Sequence, residues 1–153
     1  MSPYPLDPVE ARGPMRLVLT SYPSRDAALR AVDAALARRL AACANLVPID
    51  SRYWWKDRVE SAGETLVLFK TVPKRVGGLF RFLKETHPYD VPEVVEIDVP
   101  RVEASYLRYL ATTLDPDAPP PPLGGGPIRP AARRGRGARA LGRTRALHRR
   151  RSR

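Results

Sequence analysis

One cysteine, Cys43, stands in a chain of 153 residues. A single thiol excludes an internal disulfide framework and any all-cysteine metal cage. Long apolar runs are missing as well: no stretch approaches the ~18 consecutive apolar residues of a membrane span. The first fourteen residues, MSPYPLDPVEARGP, carry four prolines and no apolar segment, so they do not read as a secretory signal. Enzyme signatures are also lacking. There is no GxGxxG turn, no Walker lysine loop, no GxSxG elbow and no HExxH helix. Cys43 and His87 are a conceivable thiolate–imidazole pair. However, Cys43 lies in Ala41-Ala42-Cys43-Ala44, whose small residues read as tight packing around a small hydrophobe. The expectation is a cytoplasmic, non-enzymatic protein with no membrane partner.

Charge of one sign is scarce in one part of the chain and abundant in another. The formal charge is +11, from 27 Lys+Arg against 16 Asp+Glu. Residues 1–115 are nearly neutral, with 16 basic and 15 acidic side chains, whereas residues 116–153 hold 11 arginines and one acid, Asp117. The basicity therefore belongs to the tail, and whole-chain charge is no argument for a nucleic-acid-binding core. Proline and glycine mark the boundaries: residues 1–14 form an arm expected to be disordered, and 15–115 form one domain. Residues 116–153, with Pro119–Pro122, Gly124–Gly126 and then arginine, form a disordered tail. An arginine-rich tail of this kind is expected to bind polyanions through counterion release.

The domain reads as β-α-β-β-α-β-α. Arg16–Ser21 is the first strand. Ser24 caps a helix with Leu29, Val32, Leu36 and Leu40 at helical spacing. A second strand runs from about Ala42 to Trp55, with Pro48 marking a bulge or an edge. Lys56–Gly63 is polar and turn-like, and Glu64–Thr71 alternates Leu66, Leu68 and Lys70 against Thr65, Val67 and Phe69. Pro73 opens a helix with Val76, Leu79, Phe80 and Leu83 on one side, which His87-Pro88 ends. Glu93–Val99 is the fourth strand, and Glu103–Leu114 a last helix. The fold class expected is α+β: a ferredoxin-like split β-α-β sandwich with an extra C-terminal helix.

Two segments hold the chemistry. Ser51-Arg52-Tyr53-Trp54-Trp55-Lys56 contains both tryptophans of the chain beside two cations. In a strand, Tyr53 and Trp55 share one face and Trp54 takes the other. The rings form either a stacking platform for bases or a small ligand, or a contact with another subunit. The second segment, His87-Pro88-Tyr89-Asp90-Val91-Pro92-Glu93, sets an imidazole and a phenol near carboxylates. It is either a ligand or metal pocket or a rigid turn in which His87 caps a helix. No second imidazole or thiol stands at ligand spacing to His87.

Taken in order, Ala41–Pro48, Ser51–Trp55, Leu68-Phe69-Lys70-Thr71 and His87–Glu93 resemble the CutA family of divalent-cation tolerance proteins, and Tyr106–Leu110 fits its last helix. The resemblance covers about residues 15–114. It implies a homotrimer whose sheets extend across subunit boundaries, a role in divalent-metal and copper tolerance, and no obligatory cofactor beyond copper or another divalent cation. It makes Tyr53, Trp54, Trp55, Lys70, Tyr89 and Glu93 ligand or interface candidates and His87 the metal-ligand candidate. Some members carry a cysteine where this chain has Thr20, and a second histidine where it has Thr86. The competing reading is an RNA-binding ferredoxin-like module with an arginine-rich tail. Against it, the third strand lacks the aromatic RNA-binding motif, reading Leu66-Val67-Leu68-Phe69-Lys70.

Overall fold

Seven elements make up the residues that the computed structural model describes, 13–117. The strands are β1 (Met15–Tyr22), β2 (Cys43–Trp55), β3 (Arg58–Thr71) and β4 (Val95–Val99). The helices are α1 (Arg25–Ala37), α2 (Pro73–Thr86) and α3 (Ala104–Thr113). The disorder expected for the N-terminal arm up to residue 12 and for the tail from residue 118 lies outside the described residues. The strands form one antiparallel sheet in the order β2-β3-β1-β4. This is an α+β fold with four strands and three helices, and its order is that of the expected split β-α-β plan.

Local chemistry explains the helix limits. Ser24 accepts a hydrogen bond from the Ala27 N–H at 3.2 Å, which caps α1. Beyond its end Arg39 takes φ 53°, a left-handed residue that stops the helix. The stripe α1 buries is Ala28, Val32 and Ala35. The leucines expected there, Leu29, Leu36 and Leu40, are half-buried at its margins. Alanines bring the helix backbone down onto the sheet, and the leucines then fill the sides. In α2 the buried set is Leu79, Phe82 and Leu83, with Val76 and Phe80 at the margin. Gly78 lets α2 approach Leu40 closely, since a Cβ there would lie 3.1 Å from Leu40 Cδ2 and the leucine would have to shift by a few tenths of an ångström. His87 ends α2 in an extended conformation, as the residue before Pro88 must.

The β2–β3 hairpin is longer than the sequence indicates. Its register runs unbroken from Cys43 opposite Lys70 to Trp55 opposite Arg58. Only Lys56 and Asp57 form the turn, both left-handed with φ 47° and 60°, as a two-residue type I′ connection requires. Residues 58–63, expected as turn, are therefore strand. They lack apolar alternation because this half of the hairpin projects past the core, where backbone pairing and a cross-strand bond from Arg52 to Ser61 Oγ hold it. Pro48 pairs with Thr65 without a bulge, on an edge strand. At the other edge β4 begins at Val95, not Glu93. Pro92 has no N–H to give a ladder, and 88–93 stay irregular.

Side chains alternate between two sheet faces. One carries Val18, Tyr22, Val67 and Phe69 and is sealed by Val32 of α1 and Leu79 and Leu83 of α2. Each fully buried side chain of this kind contributes about 1.5–3 kcal/mol. The opposite face carries Leu17, Leu19, Leu66, Leu68, Val47, Val95 and Ile97. Only one end of it is covered, where Leu110 of α3 and Leu114 at its C-cap join Met15 and Val72. Among the described residues the remainder has no helix over it. Val47, Val95 and Ile97 are each 40% exposed.

Candidate functional site: a cleft between the hairpin and the 88–93 loop

The chain leaving α2 turns at Pro88 and crosses the end of β1 before entering β4. This brings Tyr89 over the outer sheet face at the point where the hairpin departs. Tyr89 donates its hydroxyl to Glu64 Oε1 at 2.8 Å, and Ser21 Oγ donates to the same oxygen at 3.1 Å. Ser51 of β2 also hydrogen-bonds the carboxyl. Burial alone would raise the Glu64 pKa, but the Ser51, Tyr89 and Ser21 hydroxyls and the nearby His87 outweigh it and hold the group below its ordinary value. The Tyr89 phenol moves the other way, raised first by burial and then by the Glu64 carboxylate.

Around this network lies a cleft of about 910 Å³. Its walls hold the rings of Tyr53, Trp54, Trp55 and Tyr89, with Asp50, Glu64, Asp90 and Glu93 as carboxylates and Arg52 as the one cation. Arg52 is turned toward Ser61 Oγ at 3.1 Å. Five of the residues expected from the sequence, Tyr53, Trp54, Trp55, Tyr89 and Glu93, therefore come together. Lys70 does not join them. It sits opposite Cys43 and Leu17 at the other end of the sheet.

His87 stands behind the cleft wall. Its ring stacks on Tyr22 with centroids 4.5 Å apart and lies 5.2 Å from the Tyr89 ring. Nδ1 accepts the Tyr89 N–H at 3.1 Å, so the neutral ring carries its proton on Nε2, 3.1 Å from Thr20 Oγ1. Burial holds the imidazole pKa below 6.5; a bond to the Ser21 backbone and the charge of Glu64 offset part of that shift. Both ring nitrogens are engaged, and the neighbours are a hydroxyl and phenols rather than soft donors. Among the described residues no group of three His, Cys, Asp or Glu side chains is placed to hold a metal ion. The surroundings of His87 within one chain do not fit a closed copper site.

The residues not singled out from sequence are Glu64, Ser21 and Ser51. They come from three strands, and only the pairing register brings them together. The available signal was Glu64 itself, a carboxylate at the head of an otherwise apolar row through Leu66 and Leu68.

Comparison with known proteins bears on the whole domain. The family described as CutA1 divalent ion tolerance protein matches residues 16–113. A divalent-cation tolerance protein CutA of Pyrococcus horikoshii is 38% identical over 96 residues, which is 63% of this chain and 94% of that one. The chloroplastic protein CutA 1 of Oryza sativa is 35% identical over 98 residues, 63% of this chain but only 55% of its own length. The structure of the periplasmic divalent cation tolerance protein CutA of Archaeoglobus fulgidus superposes with a TM-score of 0.65 at 28% identity, over 66% of this chain and 99% of that one. Among the described residues no helix is long and apolar enough to cross a membrane. With a family match across nearly the whole of the folded region, the chain belongs to the CutA family of divalent-ion tolerance proteins.

Proposed function

We propose that the protein acts in the cytoplasm as a non-enzymatic homotrimer in tolerance of, or response to, divalent metal ions such as copper. In this reading a metal or small ligand is taken up at the subunit interfaces, and no resident cofactor is needed. The observation that carries the reading is the uncovered sheet face. Val47, Val95 and Ile97 form an exposed apolar band that Tyr53 and Trp55, at 44% and 47% exposure, continue along the hairpin. A contiguous apolar surface of this kind marks a contact with another chain. Among the described residues the outer edges of β2 and β4 have no strand partner, and strands of a second copy would satisfy their backbone groups. A domain of about 100 residues also has little core of its own to spare. The cleft lies at the margin of this face, so assembly would place it between copies.

The competing reading, an RNA platform on Tyr53 and Trp55, meets an electrostatic objection. Four carboxylates against one guanidinium surround those rings, and such a wall repels phosphates. Polyanion binding is therefore assigned to the arginine-rich tail. The functional test is copper challenge of cells lacking the gene, complemented with the full chain or with Trp54→Ala/Trp55→Ala. The reading expects copper sensitivity that the full chain restores and the double variant does not. Unchanged copper survival in the deletion strain would contradict it.

A further inference from the structure

We infer that the cleft between the hairpin and the 88–93 loop is a binding site for a linear organic polycation, a polyamine of two to four ammonium groups, rather than for a bare metal ion or an anionic nucleotide. The inference rests on the reading of this cleft as the ligand site of the assembled protein.

The volume is the first ground. A space of about 910 Å³ is that of a small-molecule site and far exceeds a single ion. The second is the kind of wall. Tyr53, Trp55 and Tyr89 line it with aromatic rings, and the faces of such rings attract alkylammonium groups and pack against methylenes. A hydrated divalent cation gains little from them. The third is charge: Asp50, Glu64, Asp90 and Glu93 outnumber Arg52, whose guanidinium is turned toward Ser61. These carboxylates are distributed around the cleft, and no three metal-capable side chains converge among the described residues. Distributed carboxylates suit charges spaced along a chain, whereas a metal ion needs donors at one point. Glu64 is the anchor. Its carboxylate is held in place by Tyr89 at 2.8 Å and Ser21 at 3.1 Å, so it meets an ammonium without reorganisation.

Trp54 and Trp55 are the only tryptophans of the chain and both line the cleft, so their fluorescence reports occupancy. The experiment titrates the full chain, freed of nucleic acid, with spermidine at fixed ionic strength. Parallel arms use magnesium chloride, uncharged 1,8-octanediol and copper(II) chloride. The expected result is a saturable change with spermidine alone among the first three, weakened about tenfold by Glu64→Gln, the loss of one charge-assisted contact. Glu93→Gln, at an exposed position, provides a second variant that leaves the fold intact and should also weaken binding. No saturable spermidine response, or equal affinity in both variants, overturns the inference. If copper alone binds, the polycation inference fails while the cleft remains a ligand site; if neither binds, both fail.

Discussion

Tyr89 and Glu64, 25 positions apart, meet through a hydrogen bond of 2.8 Å that ties the loop after α2 to the third strand. The bond fixes one wall of the cleft against the other and makes the carboxylate both anchored and ionised. Because the acceptor is charged, the bond is stronger than a neutral one.

Replacing Tyr89 with Phe removes that bond and leaves the ring. The half-buried position limits the loss to about 1 kcal/mol. Urea unfolding at a fixed protein concentration should show a lower midpoint with an unchanged slope. A changed slope would mean that the loop had come away from the sheet as a whole.

Acid should weaken the fold in two steps. Burial holds the His87 imidazole below 6.5, so the unfolded chain takes up a proton at this ring before the folded chain does. Its contribution to stability is complete above pH 6.5 and is lost as the pH falls from there through the folded-state value. Glu64, held below its ordinary 4.5, contributes stability that is present above that value and lost as the pH falls through the depressed one. Thermal unfolding of the full chain between about pH 8 and pH 2 measures both. His87→Phe keeps a ring stacked on Tyr22 and should abolish the first step, while the second, which loses only the His87 charge and keeps its hydroxyl partners, should shrink but persist.

Copper affords a gain-of-function prediction. His87 Nε2 lies 3.1 Å from Thr20 Oγ1, a poor metal donor. Thr20→Cys sets a soft thiolate beside the imidazole and should raise copper(I) affinity at least about tenfold, measured by competition with a chromophoric chelator. His87→Ala in that background should reverse the gain. An unchanged affinity in Thr20→Cys would show that this pair cannot be reached by metal.

Residues 118–153 lie outside the described residues, and their prediction rests on composition. Full-length protein should bind RNA with an affinity that falls steeply with salt, while a chain ending at Asp117 should not bind. Retained binding by the shortened chain, measured by fluorescence anisotropy, would return the RNA platform to consideration.

How far the sequence foretells this depends on the range of the interaction. Ser24, Pro73 and His87-Pro88 act within one turn of chain, and each marks a helix limit where the structure has one. The Leu66/Leu68 against Val67/Phe69 alternation is likewise local and assigns both faces correctly. Residues 58–63 mislead because strand pairing there needs no apolar pattern, and Lys56-Asp57 adopts left-handed backbone without the usual Asn-Gly signal. Alanines 28 and 35 displace leucines from the stripe because helix-to-sheet distance is a tertiary property. The aromatic half of the cleft is visible in Tyr53-Trp54-Trp55 and part of its acidic half in Asp90 and Glu93, but Asp50 and Glu64 are not. Glu64 becomes central only when register brings Ser21 and Ser51 alongside.

Replacing Trp54 and Trp55 together with Ala should weaken association and lower the melting temperature by several degrees, about 4–8 °C for each kcal/mol lost in a domain of this size. Trp54 is 75% exposed in the single chain, so a purely intramolecular role predicts almost no effect.

The uncovered sheet face is the centre of this account, and native mass spectrometry of the full chain at low micromolar concentration tests it most directly. The account predicts a dominant species of three times the 17.1 kDa chain mass, with the Trp54→Ala/Trp55→Ala variant shifted toward single chains. A wild-type protein that is monomeric under those conditions would contradict it.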